Sequence, residues 1–170
     1  SSDGNIYMYK SNGDLEKVLE NGHKDWVSGV CFSHDSQKLY SSGKDAEIIR
    51  WDVETGKKEQ TFSDHSKWVS FITVSKNGKF LASGSDDRTV KIWSLENDKP
   101  LITIPTSDDA VALSFMDVDS KIVLGDGKDL KVYPLDFSFM KSSSRKLSQQ
   151  MESMSGLKLD GFILSNIASD

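Results

Sequence analysis

The number of residues that separates Trp51 from Trp93 also separates other matching residues along the chain, and we call this number the repeat spacing. It constrains the fold more than any other feature. The stretch Leu39–Asp52 aligns without gaps with Leu81–Ser94. Five pairs of distinctive residues share the spacing, namely His23 and His65, Trp26 and Trp68, Ser41 and Ser83, Asp45 and Asp87, and Trp51 and Trp93. Self-similarity at a period of roughly 20–50 residues is typical of repeat proteins, whose units bury their apolar faces against one another. The sequence therefore predicts stacked copies of one small unit.

Weaker copies flank the two strong ones. Asp3–Tyr9 matches the end of the unit, and Tyr9 precedes Trp51 by the same repeat spacing. Ile122–Tyr133 is a degenerate copy, in which Tyr133 follows Trp93 at a slightly shorter interval. The repetitive region therefore extends over about residues 1 to 135.

Within each unit the apolar residues follow a period of two, which is typical of β-strands. Val27, Val30 and Phe32 precede a turn at residues 34–36, and the second unit carries Asn77-Gly78 at its turn. Asn-Gly is a strong signal for a tight hairpin. Each unit is predicted to form four short antiparallel strands, so the predicted fold class is all-β.

The residues at the two ends of the unit resemble a known family. Gly22-His23 is followed roughly thirty residues later by Trp51-Asp52, and the second copy reads Asp64-His65 and then Trp93-Ser94. This pattern is similar to the Gly-His … Trp-Asp signature of the WD-repeat (β-transducin-like) family. The resemblance implies four-stranded blades of a β-propeller, which in this family serve as protein-interaction scaffolds.

The predicted organisation follows from the resemblance. Residues 1–136 are expected to form propeller blades, followed by a polar stretch and a C-terminal segment. The predicted segments are a partial blade at 1–21, blades at 22–62 and 63–104, a degenerate blade at 105–136, a Ser-rich connector at 137–155 and the C-terminal segment at 156–170. Gly156–Leu164 alternates and is expected to supply the outer strand of the fourth blade.

About three and a half blades are fewer than most WD-repeat propellers close with. Exposed blade faces and unpaired strand edges promote association. We expect the 170 residues to be a piece of a longer chain. Self-association that closes the propeller is the alternative.

Each strong unit also contains a serine, a histidine and an aspartate, the residue types of a hydrolase triad. The set occurs twice at one spacing, whereas a catalytic site is normally built once. Each copy is accompanied by a tryptophan whose indole N–H needs an acceptor when buried. The resemblance implies instead a structural hydrogen-bond network of His23, Ser41, Asp45, Trp51, His65, Ser83, Asp87 and Trp93. No catalytic residue is predicted, and the chain is expected not to be an enzyme.

The degenerate unit departs from this pattern. Thr106 or Ser107 falls where the histidine should be, Tyr133 replaces the tryptophan, and Pro134 follows. We therefore expect the fourth blade to lack the complete network and to be the least stable.

Composition excludes several function classes. The formal net charge of −5 argues against non-specific binding to nucleic acid. No run of apolar residues approaches the length of a membrane-spanning helix, so no membrane span is predicted. The single cysteine, Cys31, permits no intrachain disulfide and favours an intracellular location, the cytoplasm before the nucleus. Three histidines and one cysteine lack metal-ligand spacing, and no cofactor motif is present, so neither a metal nor a cofactor is expected.

A partner-binding surface is predicted where the first strand of each blade begins. In related propellers this strand entrance lies on the top face. Trp26 and Trp68 stand there, shortly after the histidines, and exposed tryptophans are enriched at binding hot spots. The predicted surface comprises Trp26, Ser28, Lys44, Trp68, Ser70 and Asp86. The alternative is that each tryptophan packs against its neighbouring blade.

The function expected from these observations is a scaffold or adaptor that binds protein or peptide partners. The alternative is a regulatory or substrate-recruiting C-terminal module of a larger enzyme, such as a kinase, a ubiquitin ligase component or a nucleotide-switched ATPase. Since the inference from fold to function is partly analogy, both hypotheses are retained.

Overall fold

The computed structural model describes residues 1–96, 99–108, 110–116, 121–126 and 129–135. All regular elements in these ranges are β-strands, arranged in four antiparallel sheets in chain order. The first sheet contains β1 (Ile6–Tyr9) and β2 (Leu15–Leu19). The second contains β3 (Val27–Phe32), β4 (Lys38–Gly43), β5 (Ile48–Asp52) and β6 (Lys58–Phe62). The third contains β7 (Val69–Val74), β8 (Phe80–Ser85), β9 (Thr89–Ser94) and β10 (Pro100–Pro105). The fourth contains β11 (Ala110–Met116), β12 (Lys121–Asp126) and β13 (Asp129–Pro134).

The predicted all-β fold is confirmed, with four antiparallel strands in each of the second and third sheets. The two sheets share one register, because Ser41 pairs with Ile49 and Ser83 pairs with Lys91 at equivalent positions. The predicted connector at 137–155 and the predicted strand at 156–164 lie outside the described residues. No helix that could cross a membrane occurs in the part of the chain that the structure describes.

The turns of the two repeats also have the same backbone conformation. Ser36 and Gly78 have φ angles of 59° and 69°, and Ala46 and Arg88 have φ angles of 66° and 62°. The members of each pair are separated by the repeat spacing, so the chain reverses direction in the same way in both copies. Glycine adopts this left-handed conformation without steric cost, whereas the other residue types are held in it by their surroundings.

The sheets stack face to face and bury three apolar layers between them. The layer between the first and second sheets contains Ile6, Leu19, Leu39, Ile49 and Trp51. The layer between the second and third contains Tyr40, Ile48, Phe62, Val69, Leu81, Trp93 and Leu95. The layer between the third and fourth contains Phe80, Ala82, Val90, Ile92, Ile102, Ile104, Ile122, Leu124 and Leu135. Strands in the middle of the stack are covered on both faces, which explains why β8 is buried along its whole length.

The first strands of neighbouring sheets lie beside one another. β3 contacts β7, and β7 contacts β11, although these strands belong to different sheets. The Ser28 hydroxyl donates a hydrogen bond across this junction to the Val69 carbonyl, at 2.6 Å. The ends of β3 and β7 are therefore held together, and the loops that precede them share one surface.

Gly22 shows how tightly the first repeat is packed. A Cβ atom at this position would overlap Cη2 and Cζ2 of Trp51 and lie 3.4 Å from Cδ1 of Ile49. Trp51 is completely buried, so it has little room to move aside.

We therefore expect Gly22→Ala to lower the free energy of unfolding by about 1–3 kcal/mol, as overpacked cores do. Urea unfolding followed by tryptophan fluorescence measures the change. Lys24→Ala, on the exposed loop nearby, is the control and should change stability by no more than about 0.5 kcal/mol. Equal stability of Gly22→Ala and the parent chain would contradict the packing argument.

Candidate functional site

A tryptophan, a serine, a histidine and an aspartate are linked inside the second sheet, and we call this set the first tetrad. The Trp51 Nε1–H donates to Ser41 Oγ at 2.8 Å, and Ser41 Oγ lies 2.7 Å from His23 Nε2. His23 Nδ1 lies 3.0 Å from both carboxylate oxygens of Asp45. The structure thus brings together the four residues that the repeat spacing selected.

The third sheet repeats this arrangement in the second tetrad. The Trp93 Nε1–H donates to Ser83 Oγ at 2.8 Å, and Ser83 Oγ lies 2.7 Å from His65 Nε2. His65 Nδ1 lies 2.7 Å from Asp87 Oδ2. The agreement between the two copies indicates that both repeats are built on one geometry.

A histidine protonated at Nδ1 satisfies every polar atom of a tetrad. The serine hydroxyl then accepts from the indole N–H and donates to Nε2, while Nδ1–H donates to the aspartate. Ser41 and Ser83 are completely buried. Because each Oγ already accepts the indole N–H and has no path to solvent, neither serine is placed to attack a substrate.

The tetrad aspartates also order the surface turns. Asp45 accepts hydrogen bonds from the backbone N–H of Lys24 at 2.9 Å and of Glu47 at 3.2 Å. Asp87 accepts from the backbone N–H of Ser66 at 3.1 Å and of Thr89 at 3.0 Å. Each buried tetrad therefore fixes two loops at the same end of its sheet.

These contacts lower the pKa of both aspartates. Burial alone would raise the pKa of Asp87, but hydrogen bonds from His65, Thr89 and the Ser66 backbone hold it below its ordinary value of 3.8. The pKa of Asp45 is lowered in the same way, against the effect of burial, by His23 and the Lys24 backbone. Both carboxylates are accordingly ionised in the folded protein at neutral pH.

Three of the residues predicted for partner binding lie together at this end, and we call Trp26, Lys44 and Trp68 the surface cluster. The two indoles meet edge to face, with ring centroids 6.4 Å apart and an interplanar angle of 89°. Lys44 Nζ lies 5.1 Å from the Trp26 centroid and 6.0 Å from the Trp68 centroid. An ammonium at this distance is attracted by the ring quadrupole, by about 0.5–1 kcal/mol at an exposed site.

The backbone places these side chains. The Lys44 N–H donates to the Trp26 carbonyl at 2.8 Å, and the Asp86 N–H donates to the Trp68 carbonyl at 2.9 Å. Trp26 is 49% exposed and also packs on Trp68 of the neighbouring sheet. It therefore combines the exposure expected of a partner-binding residue with the packing against a neighbouring blade that was the alternative. The turn after β4, which carries Lys44, is the turn that Asp45 orders.

The other three predicted residues are already hydrogen-bonded within the protein. The Ser28 hydroxyl bonds to Val69 in the next sheet. The Ser70 hydroxyl donates to Asp86 Oδ1 at 2.8 Å. Their polar groups are therefore bonded within the protein and hold the surface in place.

Two features of this end were not predicted from the sequence. Lys44 lies over both indoles, although one belongs to the next repeat. Trp68 Nε1 is buried without a hydrogen-bond partner among the described residues. In the same part of the chain no group of three or more histidine, cysteine or acidic residues is arranged to hold a metal ion.

Comparison with known proteins identifies the repeats. The model of the family described as "WD domain, G-beta repeat" matches residues 13–52 and 56–94. Two WD40 repeats are present in this chain. The resemblance seen in the sequence is thereby confirmed, and the second and third sheets are WD40-type blades. The matched segments span β2–β5 and β6–β9, so each WD40 repeat is offset from its sheet by one strand.

Three curated relatives match short parts of the chain, and one of them is named as a WD repeat-containing protein. The U3 snoRNP-associated protein-like YAOH of Oryza sativa subsp. japonica is 50% identical over 38 residues, which cover 22% of this chain and 7% of the relative. Periodic tryptophan protein 2 of Saccharomyces cerevisiae is 41% identical over 39 residues, covering 23% and 4%. A WD repeat-containing protein of Dictyostelium discoideum is 45% identical over 42 residues, covering 25% and 7%. The chain thus covers only a small part of the length of each of these relatives.

Removing either tetrad serine should destabilise the protein. Ser41→Ala or Ser83→Ala leaves a buried indole N–H and a buried imidazole nitrogen without a partner, which costs about 1–3 kcal/mol. We expect a lower melting temperature in calorimetry for both variants, and little change for Ser63→Ala at an exposed position. Ester hydrolysis by the parent chain that either variant abolished would contradict the structural role of the serines.

Asp87 should make stability depend on pH in the acidic range. Since its pKa is lower folded than unfolded, its contribution is complete above the ordinary pKa of 3.8 and is lost as pH falls through the folded value. We expect Asp87→Asn to be less stable than the parent chain by a constant amount from neutral pH down to the ordinary pKa of 3.8, and the difference should shrink at lower pH. Urea unfolding between about pH 7 and about pH 2 measures this. Glu54→Gln, which removes one exposed charge, is the control; an Asp87→Asn deficit that stayed constant below pH 3.8 would contradict the linkage.

Proposed function

We propose that this chain is a protein-interaction scaffold or adaptor that binds protein or peptide partners through the surface cluster. The observation that carries the proposal is the half-exposed Trp26, packed on Trp68 and lying beneath the Lys44 ammonium. WD40 repeats are in general protein-interaction modules. This chain places two tryptophans and a cation at the ordered end of two neighbouring repeats.

The physical properties of the cluster favour binding. Tryptophan offers a large, rigid contact area, and its burial by a partner removes much apolar surface from water. The loops that carry the cluster are fixed by the tetrads through Asp45 and Asp87. Since those loops are already ordered, they lose little conformational entropy when a partner docks on them. Ser28, Ser70 and Asp86 complete the proposed surface as its polar surroundings.

We also propose that the chain has no catalytic activity of its own and acts inside the cell, in the cytoplasm or, second, the nucleus. Support for the first part comes from the burial of Ser41 and Ser83, the residues that most resemble nucleophiles. Support for the second comes from the single cysteine, Cys31, which permits no intrachain disulfide and so fits a reducing compartment. The rice relative is named for association with a snoRNP, which would suit a nuclear protein.

Trp26→Ala should weaken the binding of peptides that recognise this surface. A library of random peptides displayed on phage is selected on the immobilised chain, and the enriched peptides are titrated in solution. We expect Trp26→Ala to weaken Kd by at least about ten-fold, or about 1.4 kcal/mol, because a central tryptophan typically dominates such interfaces.

Tyr9→Ala is the matched control, because Tyr9 is an aromatic residue that is 61% exposed outside the cluster. Its Kd should equal that of the parent chain. Circular dichroism spectra and melting curves of both variants show whether the fold is kept. Selected peptides that bind Trp26→Ala as tightly as the parent chain would contradict the proposal that the surface cluster binds partners.

A further inference from the structure

We infer that the surface cluster recognises an acidic side chain, so that the partner is a peptide segment with an aspartate or glutamate beside an apolar residue. The inference rests on the proposed function and specifies the chemistry of its partner. The carboxylate would pair with Lys44, while the apolar neighbour would cover the exposed part of Trp26. Charge complementarity at Lys44 and the unsatisfied indole of Trp68 are its two independent supports.

Lys44 is held in place without a counter-ion. Lys38 pairs with Asp52 at 2.8 Å, and Lys91 pairs with Asp64 at 2.6 Å. No carboxylate pairs with Lys44 in the described ranges, where its ammonium lies over the two indole rings. An ammonium bound over aromatic rings keeps its remaining N–H donors directed outward, and a carboxylate accepts such charge-assisted hydrogen bonds strongly.

Trp68 provides the second donor. Trp51 and Trp93 each donate to a serine hydroxyl, whereas Trp68 Nε1 is buried with no acceptor among the described residues. A carboxylate has two oxygens and accepts from two donors at once. Trp26 packs edge to face on Trp68 and is itself half exposed. A carboxylate that reached Trp68 Nε1 on docking would supply the acceptor that this indole lacks among the described residues.

Each carboxylate near the cluster accepts a hydrogen bond from a group other than Lys44. Asp25 accepts from the Trp26 backbone N–H at 2.8 Å, Asp45 is bonded to His23, and Asp86 accepts from Ser70. Two further lysines, Lys24 and Lys67, are exposed on the loops that precede β3 and β7. In the part of the chain that the structure describes, none of these aspartates forms an ion pair with Lys24, Lys44 or Lys67, so these lysines can pair with an incoming carboxylate.

A cationic partner is the competing occupant, because the two indoles already attract an ammonium. Such a partner would have to displace Lys44 from the rings and would leave two like charges close together. Selection of peptides on charge variants of Lys44 distinguishes the two cases.

The random-peptide library serves as the probe, with selection on the parent chain, Lys44→Met and Lys44→Arg. We expect aspartate and glutamate to be enriched on the parent chain and on Lys44→Arg, which keeps the charge. Lys44→Met keeps the apolar stem without the charge, and the enrichment should disappear there. For a selected peptide, Glu→Gln should weaken Kd by about ten-fold on the parent chain and have little effect on Lys44→Met.

The Trp68 indole supplies a second readout. In ¹⁵N-tryptophan-labelled protein, the Nε1–H resonance assigned with Trp68→Phe should move downfield when the acidic peptide binds, as expected for a new hydrogen bond. Peptides that require Trp26 but show no acidic preference, and that bind Lys44→Met as tightly as the parent chain, would overturn the inference while the proposed function stands. Enrichment of lysine or arginine would also overturn it, in favour of a cationic partner. Peptides whose Kd is unchanged by both Trp26→Ala and Lys44→Met would overturn the proposed function and the further inference together.

Discussion

The buried serine hydroxyl of each tetrad connects the interior of a blade to its surface. Ser41 accepts from Trp51, whose ring fills the layer between the first and second sheets, and contacts His23, which is bonded to Asp45. A hydroxyl is the smallest side-chain group that both accepts and donates, so one atom links a core aromatic to a loop. Every group in the tetrad is buried or nearly so, and none can exchange its partner for water without opening the sheet.

The surface cluster depends on that interior. Asp45 orders the turn on which Lys44 stands, and it does so only as a carboxylate held by His23. Ser28 joins β3 to Val69 of the next sheet and so brings Trp26 beside Trp68. Rigid blades and a defined surface are consequently two results of the same set of hydrogen bonds.

The sequence was sufficient to predict contacts within a repeat but not contacts between repeats. The period of two predicted strands within each unit, and the repeat spacing selected the members of both tetrads, because these lie at equivalent positions in each sheet. Lys44 over Trp68 joins non-equivalent residues, so no periodicity reveals it. The ion pair of Asp64 with Lys91 occupies the positions of Gly22 and Ile49, where the first repeat is apolar. Such a paired replacement becomes visible only when the sheet register is known.

The proposed partner-binding surface draws its character from the positions where the two repeats differ. Their tetrads, registers and turn conformations coincide, so these features do not distinguish one repeat from the other. At the surface, Lys44 and Asp86 occupy equivalent turns yet carry opposite charges. Asp86 is bonded to its own serine, whereas Lys44 lies over the indoles of both repeats. A repeat protein gains specificity when a shared scaffold holds unlike side chains at equivalent loops. Here the unlike side chains are Lys44 and Asp86, whose backbone N–H groups bond to the adjacent Trp26 and Trp68.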